Sequence, residues 1–387
     1  MAERNPSALW ELIDEYPESN LSNDVGGYLA GQTREHQDRL AEGLDYLIDH
    51  SSDSFEQAGL ADVGDAIPIS YQEAPTIIHA LSLYGRQRHM PNTRVVGYLN
   101  WPEYVDRSVA DQTRKLLDAF IEEMPHVPFG YFENTEPMPV CIGDVRKLPM
   151  DLLQILVKDR ALVTSRDSDM RAMNQTHYSD IYRHYREGKR IILPYTYNEP
   201  LPNHPNINSV MRWFDDQELR AMQDLIFEPG PAFGADDYRA IGGYGHTYLG
   251  ETIDVVARIA QRYGIKIPED CQAPEAWLAL SSRRIASRLV GGVALENMWN
   301  GIGDFKATEN YRKFTLEDLR AIPDISDDAR DERIRETAPN ILERVGAKNE
   351  FIEDGTAERI DLIFQLEAIR DRLGGPDDMF DFDNWRY

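Results

Sequence analysis

Cysteine is nearly absent: Cys141 and Cys271 are the only two in 387 residues. They can form at most one bridge and follow no recurring ligand spacing, which excludes a disulfide scaffold and points to a reducing compartment, with both as small core residues. Long apolar runs are also missing. No stretch approaches the roughly 20 consecutive apolar residues of a membrane helix, and Met1 to Ser22 has no basic-then-apolar leader pattern, so a soluble, cytoplasmic protein is expected. Lysine is scarce, with eight in the whole chain, and 41 basic residues face 67 acidic ones for a net charge of -26. A surface this acidic repels phosphate backbones, which excludes nucleic acid and anionic membranes as general partners. Acid excess with lysine depletion resembles the proteins of salt-in halophiles. In molar salt the Debye length falls to about 3 Å and screens the self-repulsion.

The chain does have material for a core, with 42% hydrophobic residues. Residues 1–62 read as a helical extension: Leu40, Leu44, Leu47 and Ile48 recur at helical spacing between Arg34 and His50, and Ser51 to Ser54 break the pattern. From Ala66 the rhythm alternates. Ala66 to Ser70 reads as a strand, and Pro75 then opens a helix carrying Ile77, Ile78, Leu81 and Tyr84. Thr93 to Leu99 is β-branched and extended, and a helix from Ser108 to Glu123 follows; Val127 to Phe132, Ala161 to Thr164 and Arg190 to Tyr195 are further strands. This alternation predicts an α/β core at 63–267 with an open sheet whose ligands sit at the carboxyl ends of its strands. Residues 268–387 read as a helical C-terminal region, with Leu362, Leu366, Ile369 and Leu373 as one apolar stripe stopped by Gly374-Gly375.

Asp167-Ser168-Asp169 directly follows the run Ala161 to Thr164. In extended backbone two carboxylates one residue apart point the same way, a geometry for a hard divalent cation. Gly242-Gly243 permits turns that a side chain would block. A helix follows it, with Glu251 at its start, Ile253, Val256, Ala257 and Ala260 on one face, and Gly264 as its stop.

Taken in order, these segments resemble the inverting family 2 glycosyltransferases of the GT-A fold. Ile67 to Glu73 resembles the family's P-x-x-N-E opening, with Gln72 in place of asparagine. Asp111-Gln112-Thr113 resembles S-x-D-x-T, and Ile142 to Lys147 resembles the G-x-x-R segment before D-x-D. Phe233 to Tyr244 is similar to the acceptor-side segment that ends in a glycine pair, and Gly250 to Arg258 to G-E-D-x-D-L-x-x-R. The match covers about half the chain.

The resemblance implies a Rossmann-like open mixed sheet flanked by helices, extended by helices at both ends. It also implies transfer of sugar from a nucleoside-diphosphate-sugar to an acceptor hydroxyl, aided by Mn²⁺ or Mg²⁺. Pro68, Ser70 and Glu73 would line the base and ribose pocket, with Asp111 supporting it. Arg146 would face the diphosphate, as would Arg283 in the later segment Ser281-Ser282-Arg283-Arg284. Asp167 and Asp169 would hold the metal, with His246 completing the set. The family's catalytic aspartate is replaced by Thr252, so the base falls to Glu251 or to Asp254 on the same helical face. That departure keeps a retaining enzyme of the same fold open, and with it a catalytically silent binding or scaffold protein. A nucleotidyltransferase is the remaining enzymatic alternative, although Tyr71 to Pro75 contains no glycine for a phosphate loop. A second copy of the chain is the one further partner left open.

Overall fold

Residues 8–15, 19–20, 22–70, 74–101, 107–134, 141–168, 170–198, 230–246, 251–267 and 270–280 are described by the computed structural model. The chain divides into two units, Met1–Thr196 with Phe227–Leu278 and Tyr197–Ile226 with Ala279–Tyr387. The described residues belong to the first, apart from Tyr197, Asn198, Ala279 and Leu280 at two strand ends. The C-terminal stripe from Leu362 to Leu373 lies outside them.

The amino-terminal helices are α1 (Ala8–Glu15), α2 (Asn23–Ala30), α3 (Arg34–Asp49) and α4 (Asp53–Gln57). Thr33 starts α3 by accepting the His36 N–H at its hydroxyl. Leu40, Leu44 and Leu47 are buried on one face of α3, while Ile48 faces outward. Together with Leu9, Ile13, Val25 and Leu29 they share a core with Leu152, Leu153, Val163, Phe233 and Val256. Each fully buried leucine contributes about 1.5–3 kcal/mol relative to exposure, so the amino-terminal helices are bound into the sheet's own core.

The sheet has eight strands in the order β3-β2-β1-β4-β7-β6-β8-β5: β1 (Ala61–Ser70), β2 (Thr93–Asn100), β3 (Phe129–Glu133), β4 (Val157–Ser165), β5 (Met170–Met173), β6 (Ile191–Asn198), β7 (Ala232–Gly234) and β8 (Gln272–Leu280). It is an open, mixed α/β sheet flanked by helices, a GT-A-like arrangement. Strands β1 to β4 pair in parallel, and β7 runs antiparallel between β4 and β6. Helices α5 (Ala74–Ser82), α6 (Arg107–Glu123), α7 (Ile142–Leu156) and α8 (His177–Arg186) lie between strands, followed by α9 (Ala235–Ala240) and α10 (Glu251–Tyr263).

Within residues 63–267 the expected strands and helices are present, and three features add to the expectation. Strand β1 begins five residues before Ala66, because its polar interruption is buried and held through one carboxylate oxygen. Asp65 Oδ2 accepts from Arg166 Nε at 2.7 Å and Tyr84 Oη at 2.9 Å, and also from the Tyr178 hydroxyl. Gly64 lets β1 pass close to α7, since a Cβ there would meet Val157 Cγ1 at 2.9 Å. Strands β5 and β7 are four and three residues long, too short to carry a periodic pattern. Finally, Gln272–Leu280, within the region 268–387 expected to be helical, is instead strand β8 and joins the sheet.

Candidate functional site

Strand order places a topological switch point between β1 and β4: the chain passes outward from β1 to β2 and β3, then returns to the other side of β1 for β4. Ligands of open α/β sheets bind in the crevice at such a point, outside the carboxyl ends of the strands. The strands separate there. The last β1–β4 pair is Ala66↔Ser165, while β1 continues against β2 to Ser70. Pro68 is buried in this final stretch, where a missing N–H costs no bond to β4. Ser70 is the last residue of β1, and Asp167 stands two residues past the end of β4.

Arg146, on the second turn of α7, gathers the mouth of this crevice. Its side chain is 1% exposed, and its Nε donates to Glu251 Oε1 at 2.7 Å, Nη1 to Ser165 Oγ at 3.0 Å and Nη2 to Asp167 Oδ1 at 2.5 Å. Three segments far apart in sequence therefore meet on one guanidinium, whose planar fork suits two carboxylates at once. Beside it Tyr244 is buried, and burial pushes its phenol up to about 12. Arg146, expected to face a donor diphosphate, lies buried with its guanidinium on Glu251, Ser165 and Asp167.

Behind Asp167, Arg166 is fully buried on Asp65, with its guanidinium 4.8 Å from the Tyr178 ring centroid. Burial pushes the Asp65 carboxyl up, while the charge of Arg166 and the hydroxyls of Tyr178 and Tyr84 pull it back. This pair fixes the backbone just ahead of Asp167. Local spacing gave no sign of it, since Asp65 and Arg166 are a hundred residues apart.

Glu251 and Thr252 open α10 and are buried. Asp254 is engaged by Arg258, whose Nε and Nη2 donate to Oδ2 at 2.8 and 2.6 Å. The same guanidinium donates to the carbonyls of Ile241 and Gly243 at 2.6 and 2.7 Å. Asp254 thus holds the glycine turn through Arg258. Both glycines are left-handed, with φ of 81° at Gly242 and 76° at Gly243. A Cβ on Gly243 would run into Tyr28 Oη and come within 2.8 Å of Lys147 Nζ and Tyr238 Oη, whereas one on Gly242 would meet nothing within 4 Å. The buried face of α10 is Val255, Val256, Ile259 and Ala260, with Ala257 half-buried, and Gly264 at φ 66° stops the helix.

The remaining expected residues separate from this centre or fall outside the described residues. Asp111 Oδ1 accepts from Arg107 Nε at 3.2 Å and Arg114 Nη2 at 3.1 Å, and Arg107 also bonds Glu133 at 2.5 Å, a network at the carboxyl end of β3. His246 Nδ1 lies 2.7 Å from Asp144 Oδ2. Glu73, Asp169 and Arg283 lie outside the described residues, as does Gln72. Cys141 and Cys271 are both buried and share no disulfide. No described helix is long and apolar enough to cross a membrane.

No protein-family model matches the chain, and no curated protein matches it. Solved structures that align with it include S. aureus TarS 1–349, at 12% identity and TM-score 0.40 over 78% of this chain and 82% of that one. The same protein in complex with UDP aligns at 12% identity and TM-score 0.36, over 59% of this chain and 63% of that one. The mannosyltransferase PcManGT from Pyrobaculum calidifontis, in complex with GDP-Man and Mn²⁺, aligns at 13% identity and TM-score 0.40 over 94% of this chain and 99% of that one. Likeness this loose assigns no activity.

Proposed function

We propose that the chain is a metal-dependent glycosyltransferase that moves a sugar from a nucleoside-diphosphate-sugar to an acceptor hydroxyl with inversion. The observation that carries the reading is the meeting of Asp167 and Glu251 on buried Arg146, beside the β1–β4 switch point. A metal-side carboxylate and a base candidate are thereby held together at the place where an open α/β sheet takes its ligand. The order of the family-like segments supports the same assignment.

The donor chemistry of the cluster supports a cation. Arg146 holds the Asp167 and Glu251 carboxylates on one guanidinium. Asp167, with Asp169 beside it in sequence, offers the oxygen donors that Mn²⁺ or Mg²⁺ prefers. Such an ion would neutralise the charge that develops on a departing diphosphate. His246 is engaged with Asp144, so the proposed ion rests on the two aspartates.

The chain's own residues carry the remaining roles. The end of β1, from Pro68 to Ser70 and on toward Glu73, borders the base and ribose pocket. Arg146 positions Asp167 and Glu251. The acceptor oxygen forms its bond to the anomeric carbon as the bond from that carbon to the diphosphate breaks. The hydroxyl proton passes to Glu251, of whose two oxygens Arg146 holds Oε1. Asp254 acts at one remove by fixing Arg258 and the glycine turn.

The test is Glu251→Gln, which preserves an acceptor for Arg146. Transfer should fall about 10²- to 10⁴-fold with donor affinity nearly unchanged. Parental turnover, or retained anomeric configuration in the product, would remove the inverting assignment. Thr252 at the family's usual base position would then mark a retaining enzyme.

A further inference from the structure

Beside the Arg146 cluster, a second group of side chains meets at the start of α7. Cys141 immediately precedes the helix, Asp144 lies in its first turn, and His246 arrives from the loop after the glycine pair. One donor atom from each of the three lies within 4.8 Å of the others, and His246 Nδ1 is already 2.7 Å from Asp144 Oδ2. Cys141 is buried, while the His246 and Asp144 side chains are 64% and 42% exposed.

We propose that Cys141, Asp144 and His246 form a binding site for a single borderline-soft divalent transition-metal ion of the Zn²⁺ class. It is separate from the Asp167 centre and stands or falls independently of the glycosyltransferase reading. Donor chemistry selects the ion. A thiolate and an imidazole favour Zn²⁺ or Co²⁺, whereas Mg²⁺ and Mn²⁺ favour sites built of oxygen alone. Three protein ligands with an exposed side match the open form of a zinc site, in which water or a ligand takes the fourth position.

The dimensions fit after a small closure. Metal bonds of about 2.0–2.3 Å at tetrahedral angles place donor atoms about 3.6 Å apart. Pairs now up to 4.8 Å apart therefore close by at most about 1 Å, while the His246–Asp144 pair at 2.7 Å opens by about as much. His246 is exposed and follows a turn of two left-handed glycines, so it is the side chain positioned to make that adjustment. On binding, the Cys141 thiol releases its proton to solvent as the sulfur–metal bond forms, and the ion takes the place of the hydrogen bond between His246 and Asp144.

The reduced full-length protein is titrated with Co²⁺ in excess Mg²⁺, which saturates oxygen-only sites. One equivalent should bind with a thiolate-to-cobalt charge-transfer band, and Zn²⁺ should displace it. Cys141→Ser should abolish the band, while Cys271→Ser should leave it intact. His246→Gln and Asp144→Asn, at exposed positions that leave the core untouched, should each weaken binding at least about tenfold. The proposal is overturned if the parent shows no such band. It is equally overturned if the band survives in Cys141→Ser, or if His246→Gln and Asp144→Asn bind Co²⁺ as the parent does. The last pair decides the matter even if Cys141→Ser fails to fold.

Discussion

Helix α7 builds two buried charged centres, five residues apart, that are mirror images in charge. At Asp151 a carboxylate sits in the middle. It accepts from Tyr28 and Tyr238 at 2.7 and 2.8 Å, lies 2.8 Å from His36 Nε2, and is 2.9 Å from the ammonium of Lys147. At Arg146 a cation sits in the middle and two carboxylates surround it. The first centre pairs its negative charge with Lys147 and ties α2, α3 and α9 to α7, so it is complete as built. The second gathers two carboxylates on one guanidinium beside the β1–β4 switch point. A charged centre among packed helices fastens them, while one beside the crevice of an open α/β sheet is placed to meet a ligand.

The largest expected effect falls on the Asp151 centre. Asp151→Ala removes the buried carboxylate that Lys147, His36 and two tyrosine hydroxyls share and should cost about 3–5 kcal/mol in denaturant unfolding. Divalent metal should not restore it. A loss below about 1 kcal/mol would show that the Asp151 centre is not what fastens the amino-terminal helices.

At the Arg146 centre the sign reverses, because the proposed cation should add stability. Mn²⁺ at about a hundred times its Kd should raise the unfolding free energy of the parent by about 2.7 kcal/mol. Asp167→Asn should lose most of that gain. Equal gains in both proteins would place the ion elsewhere.

The two centres also differ in acid. Burial pushes the Asp151 carboxyl up, but the hydrogen bond to His36 and the charge of Lys147 outweigh it and hold it below the usual carboxylate range. A depressed folded-state value means stability that is fully present above the unfolded value of about 3.9 and is lost as pH falls through the folded one. Asp151→Asn should therefore flatten the acid limb of a stability–pH curve below about pH 4. An unchanged limb would contradict that pairing.

The smallest expected effects concern the glycine turn that borders both centres. Gly242→Ala meets open space and should cost only the left-handed backbone penalty of about 1–2 kcal/mol. Gly243→Ala adds a collision with Tyr28, Lys147 and Tyr238 and should cost more, as read from thermal unfolding midpoints. Equal losses would mean that the Asp151 centre yields freely.

Sequence periodicity anticipated β2, α3, α6 and α10 closely, because each carries a full stretch of apolar residues at its own spacing. The first half of β1 escaped it, since Asp62, Gly64 and Asp65 interrupt the apolar run and only the distant Arg166, Tyr84 and Tyr178 make Asp65 tolerable inside. The same limit applied at the site. Motif order singled out Arg146, Asp167 and Glu251, which the fold brings together, but it could not foresee that Arg146 would be buried on the other two. Nor could spacing pair His246 with Asp144 across 102 residues. Roles set by long-range side-chain pairing leave little trace in local spacing.

The most direct test is calorimetric titration of the protein with UDP- and GDP-sugars, with and without Mn²⁺, in the parent and in Asp167→Asn. Binding of one donor class that requires Mn²⁺, and that weakens at least about tenfold in a fully folded Asp167→Asn, is the expected result. Donor binding that ignores both Mn²⁺ and the substitution would contradict the assignment of the Arg146, Asp167 and Glu251 cluster as a metal-dependent donor site.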